Sequence, residues 1–426
     1  MVKNIIDLFS GAGGLTEGFR SKDFKVIGHV EKEAAASQTL RLRDAYYYLK
    51  DHNKIDQYYQ FLSAEITETE LFTHIPSNIL NKTINEAIGD ETLQDIFEQF
   101  DLSINGEHIS GVIGGPPCQA YSTIGRAQNA PKKANDERIY LYRYYIQFLQ
   151  HYHPEFFVFE NVKGLLSFKD IDGNYLLKRQ NGILTGHMYD DFRAAGYELD
   201  YRIVNTSEYG VPQARERIII FGTPKEKSEI IQSFFSELEK LKETPVSLEE
   251  ALNDLPFLKS GQEVNKYASS PSQYTRTYFR KDDKLPLTQN LARPNIERDL
   301  KIYQLVLKSK IKGHNMRYNE LPDNLKTHKN VDKFLDRYKA LSWDKPSHTI
   351  VAHIAKDGHH YIHPDVNQNR SITVREAARI QGFPDDFYFE PSRTQAFTQI
   401  GNAVPPILSH KIAATILSVY HYNPVF

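Results

Sequence analysis

The stretch NIIDLFSGAGGLTEGF, Asn4 to Phe19, constrains the fold of this 426-residue chain more than any other. A short apolar run leads into a glycine turn and then a helical pattern, and FKVIGHVEKE, Phe24 to Glu33, supplies a second strand directly afterwards. Strand, turn, helix and strand in that order make a βαβ unit, the first step of a doubly wound sheet. Strand-like runs recur at ISGVIGG (Ile109 to Gly115), PEFFVFENV (Pro154 to Val162), LDYRIVNTSEYG (Leu199 to Gly210) and ERIIIFGT (Glu216 to Thr223), with a helical pattern over Ile139 to His151. Residues 1–224 therefore read as one α/β domain with a doubly wound, Rossmann-like sheet.

Charge divides the rest of the chain. The net charge of −2 hides a segment from Asp44 to Gly111 with 3 Lys/Arg against 13 Asp/Glu, and another from Pro271 to Lys339 with 16 against 8. The first, about residues 44–110, reads as an acidic helical insertion that interrupts the strand rhythm; the second would attract a phosphate backbone. Residues 225–370 are expected to form a smaller inserted domain, and 371–426 to return to the first. The returning part holds two helices, SITVREAARIQGFPDDF (Ser371 to Phe387) and AVPPILSHKIAATILSVY (Ala403 to Tyr420), the last packing back on the sheet. One cysteine forms no internal disulfide, the first residues lack a secretory pattern, and no apolar run approaches the ~20 residues of a membrane span, which points to the cytoplasm.

Four constellations carry chemistry. Gly11, Gly13 and Gly14 follow a strand and open a helix, and Glu31 ends the next strand, where a carboxylate can accept both hydroxyls of an adenosine ribose. The glycine spacing is not that of a dinucleotide fingerprint, which argues against NAD, and a purely structural turn is the alternative. Cys118, in GGPPCQAYS, follows a parallel strand at the end where open α/β sheets bind ligands; it reads as a nucleophile rather than an inert buried thiol. Glu160 closes another apolar strand, as a surface terminus or as a proton-sharing group beside Cys118. QARER places Gln213, Arg215 and Arg217 on one face of a strand, as a basic edge or as planar donors for a carbonyl or phosphate.

Together these stretches resemble the cytosine-C5 DNA methyltransferases. DLFSGAGGLTEGF is similar to their S-adenosylmethionine loop, GGPPCQAYS to their nucleophile loop, ENV to their catalytic carboxylate and QARER to their cytosine-contacting motif, while REAARIQGFP and IGNAVPP resemble two C-terminal motifs. The resemblance implies a thiolate of Cys118 adding to C6 of a flipped cytosine, Glu160 on N3 and the exocyclic amine, Arg217 supported by Arg215 on O2, and no metal. It implies an S-adenosylmethionine site of Phe9, Gly11, Gly13, Gly14, Leu15, Glu31, Pro116 and Asn402. Glu65, in SAEITE, stands as the nearest candidate for an adenine-contacting acid usually found in a Gly-Asp-Ile segment, from which this sequence departs.

Residues 225–370 correspond by position to the family's variable target-recognition region; Ala120 to Arg138, polar and with Pro131 and the cations Arg126, Lys132 and Lys133, reads as a loop that closes over the base or as a plain solvated loop. The expected DNA contacts are Gln119, Ser122, Arg126, Arg276, Arg280, Arg293 and Arg317, with Asn315 as a further reader. The implied partner is double-stranded DNA, bound by a monomer, with a cognate restriction endonuclease acting on the same site as a further candidate partner. Two rivals are a tRNA-directed member of the same family, which the strongly basic middle region disfavours, and a catalytically silent DNA binder, which the intact Cys118, Glu160 and Arg217 disfavour.

Overall fold

In a computed structural model that describes residues 2–117, 121, 137–170, 172–327 and 330–421, the strand rhythm of the first half becomes a seven-stranded sheet. Its strands are β1 (Lys3–Leu8), β2 (Phe24–Val30), β3 (Thr83–Ile84), β4 (Gly111–Gly114) and β5 (Phe156–Asn161), and then, after a small hairpin of β6 (Lys178–Gln180) and β7 (Ile183–Thr185), β8 (Tyr197–Asn205) and β10 (Glu216–Pro224). A two-residue strand β9 (Gln213–Ala214) pairs instead with β11 (Ser347–His348). The sheet order is β3-β2-β1-β4-β5-β10-β8. β1 to β5 run parallel, and β10 lies antiparallel to both β5 and β8.

The middles of the central strands are apolar on both faces because helices cover both sides of the sheet. Phe156, Val158, Ile219 and Phe221 face one core, and Phe157, Phe159, Ile218 and Ile220 the other, as the two-residue period of a strand requires. Helices Leu93–Ile104 and Leu141–Tyr152 fill the second side with Phe97, Phe100, Tyr145 and Phe148. Helices Glu229–Lys240 and Pro406–His421 fill the first.

Two expected boundaries move. The segment 44–110 is not one insertion, because β3 hydrogen-bonds to β2 within it and Leu93–Ile104 packs on β2, where Phe100 would meet a Cβ on Gly28 at 2.6 Å. A two-residue strand has too short a period to be read from sequence. The residues in excess of the βαβ alternation are the short helices Ile55–Leu62, Glu68–Phe72 and Ser77–Leu80, which share a small core with Leu42, Tyr46 and Leu49. Likewise, 225–370 does not begin a separate body at 225. Helix Glu229–Lys240 lies on the sheet, with Phe234 stacked on Phe221 at 3.9 Å. An independent core appears only from helix Glu297–Ile311 onward, where Ile302, Tyr303, Val306 and Leu307 pack with Tyr318, Tyr338 and Ile362.

Candidate active site at the carboxyl end of the sheet

The chain winds from β1 through β2 to β3 on one side and then crosses back to β4 on the other side of β1, so the carboxyl ends of β1 and β4 flank a crevice where the winding reverses. The glycine turn lies at the first of these ends. Phe9, Gly11 and Gly13 have φ of 55°, 55° and 82°, and the turn is tied by Ser10 N–H to Val30 O at 3.1 Å and Gly13 N–H to Ser10 O at 2.9 Å. A Cβ on Gly11 would meet nothing within 4 Å, so this glycine serves backbone conformation and open space. Gly14 differs, since a Cβ there would lie 2.2 Å from the carbonyl oxygen of Val404. Leu15 is buried, and its carbonyl accepts from the Ser409 hydroxyl. Thus the C-terminal helix forms the wall behind the turn.

Glu31 follows β2 and turns back to this loop. Its Oε2 accepts from Gly11 N–H at 2.7 Å and its Oε1 from Glu33 N–H at 2.8 Å. Burial raises its pKa against those two hydrogen bonds. Sequence reasoning passed over Asp7, one turn below. Burial pushes its carboxyl up to about 7, Thr16 donates to Oδ2, and Oδ1 has no hydrogen-bond partner. A carboxylate inside the apolar run NIIDL was the available signal.

On the other flank, Asn161 Nδ2 donates to the Pro116 carbonyl at 3.1 Å and fixes the loop after β4 to the end of β5. Beside it, Glu160 Oε1 accepts from Arg217 Nε at 2.8 Å across the β5–β10 pair. A Cβ on Gly115 would fall 3.0 Å from Glu160 Oε2, so the missing side chain leaves that oxygen room. Burial raises the Glu160 pKa, while the charges of Arg217 and then Arg215 pull it down. A carboxyl in this state can carry a proton to a ring nitrogen and accept from an amine. Cys118, Gln119, Ser122 and Arg126, with most of the expected closing loop, lie outside the described residues.

Several expected residues stand elsewhere. Arg215 shares the inward face with Arg217, but its guanidinium donates to Ile350 O at 2.6 Å and Gly401 O at 3.0 Å. It is a strut that joins three distant segments, and reaches Glu160 only through its charge. Gln213 does similar work, donating to Gln381 Oε1 at 2.6 Å and accepting from Ile350 N–H at 2.7 Å. Glu65 is exposed between helices Ile55–Leu62 and Glu68–Phe72, whereas the strand beside β2 ends at Ile84 and is followed by Asn85, whose Nδ2 donates to Glu31 O at 2.8 Å. Glu65 thus lies apart from that strand end, where Asn85 stands beside Glu31, and the short β3 concealed this. Asn402 is exposed at the end of helix Arg393–Asn402.

Among the expected DNA contacts, Arg293 is occupied by Lys356 O at 2.8 Å and Ile354 O at 2.9 Å. Arg280 donates to Ser269 O at 2.9 Å and lies over the Tyr267 ring at 4.0 Å. Both are internal braces. Arg276 pairs with Asp283 at 3.0 Å, Asn315 accepts from Lys310 Nζ at 2.6 Å, and Arg317 is exposed.

Comparison with known proteins agrees with this geometry. The chain is 37% identical to the type II methyltransferase M.Bpa9945I of Bacillus paralicheniformis, over 97% of this chain and 98% of that one. It is 29% identical to the type II methyltransferase M.DdeI of Desulfomicrobium norvegicum, over 97% and 88%. The fold is similar to that of a putative DNA modification methyltransferase encoded within an E. coli prophage, at TM-score 0.59 and 23% identity over 98% and 99% of the two chains. The profile of the C-5 cytosine-specific DNA methylases matches residues 3–74 and 77–418, both walls of the crevice included, and the chain belongs to that family.

Proposed function

We propose that the protein transfers a methyl group from S-adenosylmethionine to C5 of a cytosine in duplex DNA, as the modification enzyme of a type II restriction-modification system. The observation that carries this reading is the placement of Glu31 and Gly11 on one flank of the crevice and of Glu160, Arg217 and Pro116 on the other. The residues present fit the donor. Gly11 faces open space, and Glu31 is a buried carboxylate already held by two N–H groups, with lone pairs left for a ribose diol. When bound, S-adenosylmethionine supplies an electrophilic methyl group.

Cys118, as a thiolate, would form the Sγ–C6 bond to the flipped base while the C5–C6 π electrons move to C5, making C5 nucleophilic toward the donor's methyl group, whose S–CH3 bonding electrons stay on the sulfur. Glu160, its pKa raised by burial, gives its proton to N3 as the thiolate adds and accepts from the exocyclic amine. Arg217 holds Glu160 in register and presents a guanidinium edge to the O2 carbonyl. Loss of the C5 proton, return of the N3 proton to Glu160 and cleavage of the Sγ–C6 bond, with the electrons leaving on sulfur, would restore the ring and the enzyme. The protein works as a monomer, in the cytoplasm, alongside an endonuclease directed to the same site; among the described residues no helix is long and apolar enough to cross a membrane.

Bisulfite sequencing of unmethylated DNA incubated with the protein and S-adenosylmethionine tests the reading. Cytosines in one short motif are expected to resist conversion, and to convert fully with Cys118→Ala. Full conversion with both proteins rejects it.

A further inference from the structure

The connection from β5 into the hairpin of β6 and β7 carries cations that the reaction leaves unused. Lys169 and Lys178 come from opposite ends of this connection and share one ring, with Nζ 4.7 Å and 3.9 Å from the centroid of Tyr175. An antiparallel bridge joins the main chain of Lys169 to that of Tyr175, and Lys178 opens β6 opposite Thr185. Between them buried Asp170 accepts from Asp172 N–H at 3.0 Å and Asn174 N–H at 2.9 Å, and pairs with His187 at 3.0 Å. The two ammonium groups therefore sit on a braced turn rather than on free stems.

Their charge is not neutralised there. Among the described residues the ion pairs of this turn and hairpin are His187 with Asp170 and Arg179 with Asp200, and neither lysine has a carboxylate within 4.0 Å. The charge also acts on the ring itself, because the hydrogen bond from Lys178 and the proximity of Lys169 lower the pKa of the half-buried Tyr175 phenol. Cation–π contacts of this kind hold an exposed ammonium by about 0.5–1 kcal/mol, enough to orient it without burying it. Two like charges braced over one ring repel each other, and a single anion bridging them relieves that repulsion.

The turn is also close in the chain to the reacting groups. It begins where β5 ends in Glu160 and Asn161, passes through the 3₁₀ turn Lys163–Ser167, and sets Phe168 edge-on to Tyr121 at 5.3 Å, three residues beyond Cys118. We propose that Lys169 and Lys178, presented across Tyr175, form a contact for a backbone phosphate of duplex DNA on the sheet domain, separate from the basic segment 271–339. The inference rests on the reading of this protein as a DNA methyltransferase. Phosphate contacts set the register of a protein on a duplex, and lysine serves there as a point charge. A grip from the sheet domain fixes the backbone on the side of the nucleophile, while the recognition region grips from its own side.

Salt titration of binding tests this. The affinity of the full chain for a short fluorescein-labelled duplex of mixed sequence is measured between roughly 50 and 200 mM salt, where each phosphate contact adds about −0.9 to the slope of log affinity against log salt. The Lys169→Ala, Lys178→Ala double variant is expected to bind roughly tenfold more weakly at the low end and to lose about 1 to 2 from the slope, and the double Lys→Arg variant to restore both. A wild type that binds with the usual slope beside a double Ala variant of equal slope overturns this contact and leaves the methyltransferase reading standing. A weaker Ala variant with unchanged slope also overturns it, since lost packing rather than lost phosphate would be responsible. A wild type that does not bind the duplex overturns the reading of function and this inference with it.

Discussion

Glu160 and Arg217 pair across β5 and β10 at the mouth of the crevice, whereas Arg280 and Arg293, in the most basic segment of the chain, spend their guanidinium groups on main-chain carbonyls of that segment and its neighbours. At the sheet end the pair is made through Glu160 Oε1, and Gly115 leaves room beside Oε2. The charged groups of the basic segment split into braces such as Arg293 and exposed cations such as Arg317. Charge density is therefore a poor guide to the contacts a protein makes with its substrate. What matters is whether the fold leaves one edge of the charged group free.

The strongest way to break this contrast is at Glu160. Glu160→Gln keeps an oxygen for Arg217 Nε but removes the proton carrier, so turnover is expected to fall by about 10²–10⁴ while folding stability moves by less than about 1 kcal/mol. Steady-state methyl transfer and urea unfolding together check it, and a fall in both equally would make Glu160 a brace too.

Asp7 tests the same contrast inside the sheet, because it is a buried carboxyl with one oxygen unpartnered. Its folded pKa near 7 exceeds the ordinary 3.8, so folding takes up a proton between those values. The stability this confers is full below the lower value and is lost as pH rises to about 7, by up to about 4 kcal/mol relative to Asp7→Asn. Urea midpoints of both proteins across that range are expected to converge or cross as pH rises; a constant difference refutes the assignment.

The smallest effects separate brace from contact in the basic segment. Arg293→Ala should lower stability by about 1–3 kcal/mol through unmet carbonyls and leave the salt slope of DNA binding unchanged. Arg317→Ala should change stability by no more than about 0.5 kcal/mol and reduce the slope by about 1. The reverse pattern would exchange their roles.

The parts of the molecule legible in sequence are those that backbone topology fixes. Once strand, turn and helix alternate, residues at strand ends must meet at one edge, which is why Gly11, Glu31, Glu160 and Arg217 could be placed together. Arg215 was readable as an inward residue but not as a strut, because Ile350 and Gly401 lie far along the chain and nothing local announces them. The two-residue β3 escaped notice for want of a period, and with it the position of Asn85. Partners of Arg280 and Arg293 are set by irregular segments, where sequence carries composition but no geometry.

The wall behind the glycine turn has a consequence for the order in which the molecule can be built. Gly14 meets Val404, and Gly18 is bare because the Ser409 main chain would lie 2.2 Å from a Cβ there. The glycine turn thus gains its back only when residues 394 positions further along the chain have packed against it. A chain folded without helix Pro406–His421 would keep the strands of the sheet yet present the glycine turn as an open trough rather than a walled slot.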